Sequence, residues 1–276
     1  MRALIVIPAY NEAANLAAVV ADVRAHCPAI DMLVVDDGST DDTAAVAAGL
    51  NVRCLRMGVR IGVGGAVRAG LRYAVRHNYD HVIRLDGDGQ HPAALVDPLL
   101  HALNDRGADL VVGSRYRARR RPAHVPFVRR LVHYGLGRAL SMLTRQLVTD
   151  PTSGLWVYGP RAIDVLLERH PSGYPEAELI LVSKRAALDI VEVPVTMRER
   201  LGGQTSLTLA RSLTALGRLI LRIGYDAIAR APKPSMRERA IEEAALGRAK
   251  VALIAGRPPA GLKPRPPSPA FTPQRG

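Results

Sequence analysis

Aromatic side chains are scarce in this chain: two Phe, one Trp and eight Tyr make up 4% of its 276 residues. A surface that stacks unpaired bases needs such rings interleaved with basic groups, so the formal net charge of +13 points to a partner other than nucleic acid. Cysteine is rarer still. Cys27 and Cys54 stand without a CxxC or a nearby histidine pair, which excludes a disulfide framework and a zinc site and fits a reduced, cytosolic setting. No stretch of 18 or more residues escapes charge, so a membrane-spanning helix is not expected. The chain opens on the strand-like Ala3-Leu4-Ile5-Val6-Ile7-Pro8, which leaves no room for the basic, apolar and small-residue zones of a signal peptide.

What is present is 48% hydrophobic content, enough for one full core with appendages, and two acidic turns. The first is Asp86-Gly87-Asp88-Gly89-Gln90-His91. Mg²⁺ and Mn²⁺ take hard oxygen ligands in octahedral array, few from protein and the rest from water and substrate phosphates. Asp86 and Asp88, with Gln90 beside them, supply that minimum. An isolated pair of this kind is also compatible with a polar surface turn. A second acidic turn, Val35-Asp36-Asp37-Gly38-Ser39, also follows an apolar run directly, and two such turns imply one ligand-binding edge.

Short apolar runs at 2–7, 31–35, 51–57, 81–86, 109–113 and 190–195 alternate with helical patterns at 13–25, 41–48 (after a Ser39-Thr40 cap), 92–103, 160–168 and 175–187. That order predicts an α/β fold, a mostly parallel central sheet flanked by helices in Rossmann-like fashion. In such sheets ligands bind beyond the carboxyl ends of the strands, where Tyr10-Asn11-Glu12, Asp36-Asp37 and Asp86-Asp88 all fall. Gly62-Val63-Gly64-Gly65 is not a dinucleotide fingerprint, because Val67 stands where its third small residue belongs. Arginines at 115, 117, 119–121, 129 and 130 arrive with no acidic residue until Asp150. Leucines at 136, 140, 143 and 147, and apolar residues at 209, 213, 216, 220 and 223, recur at helical spacing with arginines opposite (Arg138 and Arg145; Arg211, Arg218 and Arg222). Such helices serve either as ordinary core-packing elements or as binders of an anionic membrane interface. Three regions are expected: a catalytic body at 1–207, an amphipathic helical extension at 208–231, and a Pro-rich basic tail at 232–276 that cannot bury enough apolar surface to pack, with a short helix from Ser235.

Taken together, Ile7-Pro8-Ala9-Tyr10-Asn11-Glu12, Val35-Asp36-Asp37-Gly38-Ser39, Leu85-Asp86-Gly87-Asp88-Gly89-Gln90-His91-Pro92, Gly113-Ser114-Arg115-Tyr116, Asp150 with Thr152-Ser153-Gly154, Tyr174-Pro175-Glu176-Ala177-Glu178, Glu192-Val193-Pro194-Val195 and Arg198-Glu199-Arg200 resemble the ordered blocks of the family 2 glycosyltransferases of GT-A fold, within them the dolichyl or polyprenyl phosphate sugar synthases. The resemblance covers residues 1–207. It implies donor contacts from Pro8, Tyr10, Glu12, Val35, Asp36, Asp37, Leu85, Asp86, Gly87 and Arg115, with Tyr10 offering a ring face and Glu12 or Asp37 accepting from base or ribose. It implies a divalent cation, Mg²⁺ or Mn²⁺, on Asp86, Asp88 and Gln90, and catalytic parts for Asp88, Asp150, Glu176 and Arg200. Arg115 and Arg200 suit phosphate oxygens.

Under that resemblance the donor is GDP-mannose or a UDP-hexose, the acceptor a polyprenyl phosphate, and the displacement inverting. The setting is cytoplasmic, peripheral at the inner face of the cell membrane through its anionic surface or a membrane partner protein. A phosphate acceptor needs no strong general base. A hydroxyl acceptor in envelope polysaccharide synthesis would need one, for which Asp150 and Glu176 are candidates, unless they are ion-pair partners of Arg115 or Arg200. Where the family usually has Asn ahead of the glycine stretch, this chain has Arg60. A nucleotidyltransferase would carry a glycine-rich, basic loop after the first strand, which Pro8-Ala9-Tyr10-Asn11-Glu12 is not. A nucleic-acid-binding protein would explain the charge but not the shortage of aromatics.

Overall fold

The computed structural model describes residues 1–117, 127–171 and 175–198, with the backbone alone at 127–132, 168 and 175. Arg200, Tyr174, Arg119 to Arg121, the 208–231 extension and the tail lie outside the described residues. The elements run β1 (Ala3–Ala9), α1 (Ala13–His26), β2 (Asp31–Asp36), α2 (Thr43–Gly49), β3 (Arg53–Arg56), α3 (Val63–Arg76), β4 (His81–Arg84), α4 (Val96–Arg106), β5 (Leu110–Ser114), α5 (Phe127–Thr144), β6 (Trp156–Tyr158), α6 (Pro160–Arg169), α7 (Pro175–Arg185) and β7 (Ile190–Pro194).

The seven strands form one sheet in the order β3-β2-β1-β4-β6-β5-β7. All pairings are parallel except those of β6, which runs against both β4 and β5. The apolar run of β1 is buried throughout because helices cover both faces. Its period of two sends Leu4 and Val6 into a core with Ala66, Val67 and Leu71 of α3, Ile163 of α6 and Leu179 of α7. Ile5 and Ile7 enter the opposite core with Leu16 and Val20 of α1 and Leu99 and Leu103 of α4. Pro8 is tolerated in this central strand because β4 pairs with β1 only as far as Val6 opposite Arg84, so no ladder bond is asked of its nitrogen at that edge.

Several expectations shift. The 92–103 helix is a single 3₁₀ turn at Ala93–Leu95 followed by α4. The Ser39-Thr40 pair does not cap α2, whose first residue is Thr43. The Ser39 hydroxyl instead accepts the Asn11 N–H at 3.0 Å, and the Thr40 N–H donates to Asn11 Oδ1 at 2.9 Å. Asn11 reaches this position with φ +56°, a left-handed conformation that Asn accepts more readily than most residues. β6, only three residues long, is an addition to the expected strands. In the 136–147 stripe, Leu136 and Leu140 are core while Leu143 and Leu147 are exposed. The helix stops at Thr144, and Arg145 turns the chain with φ +52°, so the stripe leaves the core there.

Candidate active site

The tips of β1, β2 and β4 interlock. The Asp37 N–H donates to the Ala9 carbonyl at 2.8 Å. A Cβ placed on Gly87 would lie 3.3 Å from the Pro8 carbonyl oxygen and 3.4 Å from Glu12 Cγ, so the acidic turn after β4 packs directly on the turn after β1. The three strand ends expected to converge do so, but their carboxylates have different employment. Asp37 is buried, and its two oxygens each accept a backbone N–H at 2.8 Å, from Ile61 and Gly62. It thereby anchors the entry of α3, where a negative group also meets the positive end of the helix dipole. Asp36 is fully buried, accepting the Ser39 N–H at 2.9 Å, with Arg56 Nε at 3.6 Å from its other oxygen. The Glu12 carboxylate accepts Asn15 Nδ2 at 2.6 Å. The side chains of Val35 and Leu85 are core, on opposite faces of the sheet. The Tyr10 ring has the Arg60 guanidinium over it at 3.7 Å, so one ring face carries a cation–π contact.

Around Asp86 the arrangement is denser. Arg84, the last residue of β4, is only 2% exposed and donates from Nε to Asp86 Oδ1 at 3.1 Å and from Nη2 to Glu176 Oε1 at 2.8 Å. Among the described residues its Nη1 has no hydrogen-bond partner. Burial works against its charge, but the two carboxylates more than offset this and hold it protonated. Burial likewise raises Asp86, yet Arg84 and His91 outweigh it and the net pKa is lowered. For Glu176 burial wins over Arg84 and, with Asp86 nearby, the pKa is raised. One guanidinium thus serves two carboxylates, and the deficit falls on Glu176. His91 accepts the Asp86 N–H on Nδ1 at 3.2 Å. Burial lowers its pKa, and with Nδ1 accepting, the neutral ring carries its proton on Nε2. Asp88 Oδ1 accepts the Gln90 N–H at 3.1 Å across Gly89, whose φ is +76°.

Opposite this turn stands the segment leading into β6. A Cβ on Gly154 would collide with the Asp86 carboxylate and lie 2.9 Å from His91 Cε1; only glycine lets the two loops meet. Asp150, fully buried, takes both forks of Arg115 at 2.7 Å and the Arg115 N–H at 3.0 Å. Burial raises the Asp150 pKa, but the Arg115 bonds and charge bring it below the usual carboxylate range. Asp150 is therefore paired with Arg115, the arrangement that the ion-pair alternative describes. Arg115 Nη2 also reaches Thr152 Oγ1 at 2.8 Å. Past β7 the Arg198 N–H donates to the Gln90 carbonyl at 3.0 Å, which brings the chain to the acidic turn just before Arg200. Arg84, His91 and Gly154 went unassigned as site residues in the sequence. The only signal for Arg84 was a cation inside an otherwise apolar run two residues ahead of Asp86.

Among the described residues no group of three or more His, Cys, Asp or Glu is placed to enclose a metal ion. Asp86 and Asp88 nonetheless fit a cation of the Mg²⁺ type, which needs one or two carboxylates when phosphate and water complete its shell. The Gly154 opening against the Asp86 carboxylate keeps that oxygen clear of side-chain bulk.

Residues 4–167 match the family model of glycosyl transferase family 2. The undecaprenyl-phosphate mannosyltransferase of Micrococcus luteus is 32% identical over 217 residues, covering 75% of this chain and 88% of that protein. The polyprenol monophosphomannose synthase of Mycolicibacterium smegmatis is 34% identical over 212 residues, covering 72% and 78%. Among solved structures, the glucosyl-3-phosphoglycerate synthase of Mycobacterium tuberculosis in complex with Mn²⁺, UDP-glucose and glycerol 3-phosphate superposes with a TM-score of 0.61 at 26% identity, over 81% of this chain and 80% of that one. The sheet order, the acidic turn beyond β4 and these similarities agree: the chain is a GT-A-fold glycosyltransferase and belongs to glycosyl transferase family 2.

Proposed function

We propose that the protein moves a hexose from a nucleotide-diphosphate donor, GDP-mannose or a UDP-hexose, to a polyprenyl phosphate at an anionic membrane surface, by an inverting single displacement with Mg²⁺ or Mn²⁺ as cofactor. The observation that carries the reading is the meeting of Asp86-Gly87-Asp88 with Gly154 on one side and the turn of Pro8 and Glu12 on the other. It juxtaposes the part of the sheet suited to a nucleoside with the part suited to a cation and phosphates. The relatives named for undecaprenyl-phosphate and polyprenol substrates support the acceptor class.

Under this reading Asp88 and Asp86 hold the cation, with Gln90 at its flank. The bound cation would offset charge developing on the departing diphosphate. Arg84 keeps Asp86 ionised and aimed, and His91 fixes the Asp86 backbone. Arg115, pinned by Asp150, presents a rigid cationic fork to phosphate oxygens, and Arg200 follows the chain that reaches Gln90. Tyr10 and Arg60 together frame the nucleoside. A phosphate acceptor arrives already ionised near neutral pH, so positioning and cations suffice. The commitment of Asp150 to Arg115 favours this acceptor over a hydroxyl, which would need a base.

The test is a panel of GDP-, UDP- and dTDP-sugars with Mg²⁺ or Mn²⁺ and undecaprenyl phosphate, comparing the wild type with Asp88→Ala. Sugar transfer that requires metal and disappears in the variant is expected. Metal-independent turnover would overturn the role given to Asp86 and Asp88, and transfer only to sugar hydroxyls would overturn the acceptor.

A further inference from the structure

Asp22 sits close to the C-terminal end of α1 (Ala13–His26), where the helix dipole disfavours a negative charge and aspartate is a poor helix former. A local choice against propensity points to a tertiary purpose. The two oxygens of Asp22 have separate partners. Oδ2 accepts the Ala93 N–H at 2.7 Å, at the first residue of the 3₁₀ turn that follows the Asp86–His91 stretch. Oδ1 lies 3.1 Å from Arg198 Nη1 and accepts Nη2 at 3.2 Å, with His26 Nδ1 at 3.3 Å from the same oxygen. Arg198 in turn donates its backbone N–H to the Gln90 carbonyl at 3.0 Å. Gln90 donates its own N–H to Asp88 Oδ1 at 3.1 Å. These contacts close a ring through α1, the acidic turn and the chain beyond β7, and the Asp88 carboxylate hangs from it.

We infer that Asp22 is a positioning residue for the divalent cation: from behind the acidic turn it fastens Ala93 and Arg198 together, and so holds Gln90 and the Asp88 carboxylate in place for the metal. This role rests on the cation site proposed above. The near end of the turn is fixed through Asp86, which Arg84 and His91 hold. Beyond it Gly89, at φ +76°, gives the backbone a glycine's freedom. The far end therefore needs an anchor of its own if Asp86 and Asp88 are to face one ion at a constant spacing. Groups that orient a metal ligand without touching the metal control affinity by about ten- to a hundredfold. Ala93 is 1% exposed, so little water reaches its N–H to take the place of Asp22. The Arg198 side chain is 48% exposed; its ion pair contributes little to global stability, and its loss can be read with the fold intact.

The experiment measures binding of GDP and of UDP to the full chain by calorimetry, each with and without MnCl₂. The wild type is compared with Asp22→Ala, Arg198→Met and the double variant, and Arg198→Lys serves as the conservative control. Mn²⁺ should tighten wild-type binding of at least one nucleotide. In Asp22→Ala that metal-dependent gain should shrink about tenfold, while binding without metal stays at the wild-type level. Arg198→Met should lose up to about fivefold, as for a half-exposed ion pair, and Arg198→Lys should keep the gain. The double variant should be no weaker than Asp22→Ala, because both changes break one ring. Hydrogen exchange of the ligand-free protein should quicken at the Gln90 and Ala93 amides in Asp22→Ala. A wild-type gain in Asp22→Ala, or an equal loss with and without Mn²⁺, would overturn the positioning role. A wild type that gains nothing from Mn²⁺ would overturn the cation site itself, and the role of Asp22 with it.

Discussion

Replacing Arg84 with methionine removes the cation held between Asp86 and Glu176 and leaves a side chain of similar length in the same slot. The guanidinium is 2% exposed, with ion-pair contacts of 2.8 Å to Glu176 and 3.0 Å to Asp86. Stripping one partner from a buried ion network costs about 3–5 kcal/mol. Against this, Arg84 Nη1 is buried without a hydrogen-bond partner among the described residues, and its loss relieves about 1–2 kcal/mol. Asp86, whose side chain is 29% exposed, recovers some hydration. The expected net destabilisation of Arg84→Met is about 3 kcal/mol. In a domain of this size each kcal/mol shifts Tm by roughly 2–4 °C, so a drop of roughly 6–12 °C is expected.

Most of that cost should reside in the orphaned Glu176 carboxylate, so Glu176→Gln placed on the Arg84→Met background should recover about 2 kcal/mol, read from urea unfolding of the four proteins in a double-mutant cycle. The sign of the pH response follows. Without Arg84 the folded pKa of Glu176 rises further above its unfolded value, so protonation relieves the single variant and its deficit should shrink as pH falls from 7 toward 5. An additive cycle, or an Arg84→Met protein as stable as the wild type, would refute the idea that one guanidinium neutralises both acids.

Other outcomes follow from the same contacts. Gly154→Ala should leave the fold largely intact but displace Asp86, and transfer measured with saturating donor should fall about 100-fold, as for a misplaced reacting group; unchanged turnover would show that Asp86 need not hold its position. Asp37→Asn keeps the shape but weakens acceptance of the Ile61 and Gly62 N–H groups, so a loss of about 1–2 kcal/mol in urea unfolding is expected, with faster amide exchange at the start of α3. Burial lowers the pKa of His170 to about 4 from the ordinary 6.5. Because its unfolded form takes up a proton first, stability should decline between pH 6.5 and 4 by roughly 3 kcal/mol, and His170→Gln should flatten that slope in pH-dependent melts.

The alternation of apolar runs and helical patterns placed every expected strand to within a few residues, because burial on both faces of a parallel sheet leaves a strong apolar signature. The convergence of three strand tips was equally legible, since position in a doubly wound sheet dictates it. What chemistry each tip performs was not. Asp37 and Asp36 look alike in the sequence, but Asp37 is occupied by two backbone N–H groups 24 and 25 residues away, whereas Asp36 accepts the Ser39 N–H of its own turn. Asp150 and Glu176 look alike as acids, yet one meets a private arginine and the other shares one. β6 escaped notice because three residues are too short to show a period. The leucine stripe of α5 was visible, but a repeat marks a line on a helix and says nothing of where the helix parts from its support.

The reversal of β6 has a consequence for how the ligand rim is built. In a sheet whose strands all point one way, only the segments that follow strands reach the ligand side. By running β6 against its neighbours, the chain delivers to that side the stretch that precedes a strand, and with it Asp150, Thr152 and Gly154. The loops at this rim therefore come from both ends of strands, and they meet where Gly154 lies against Asp86.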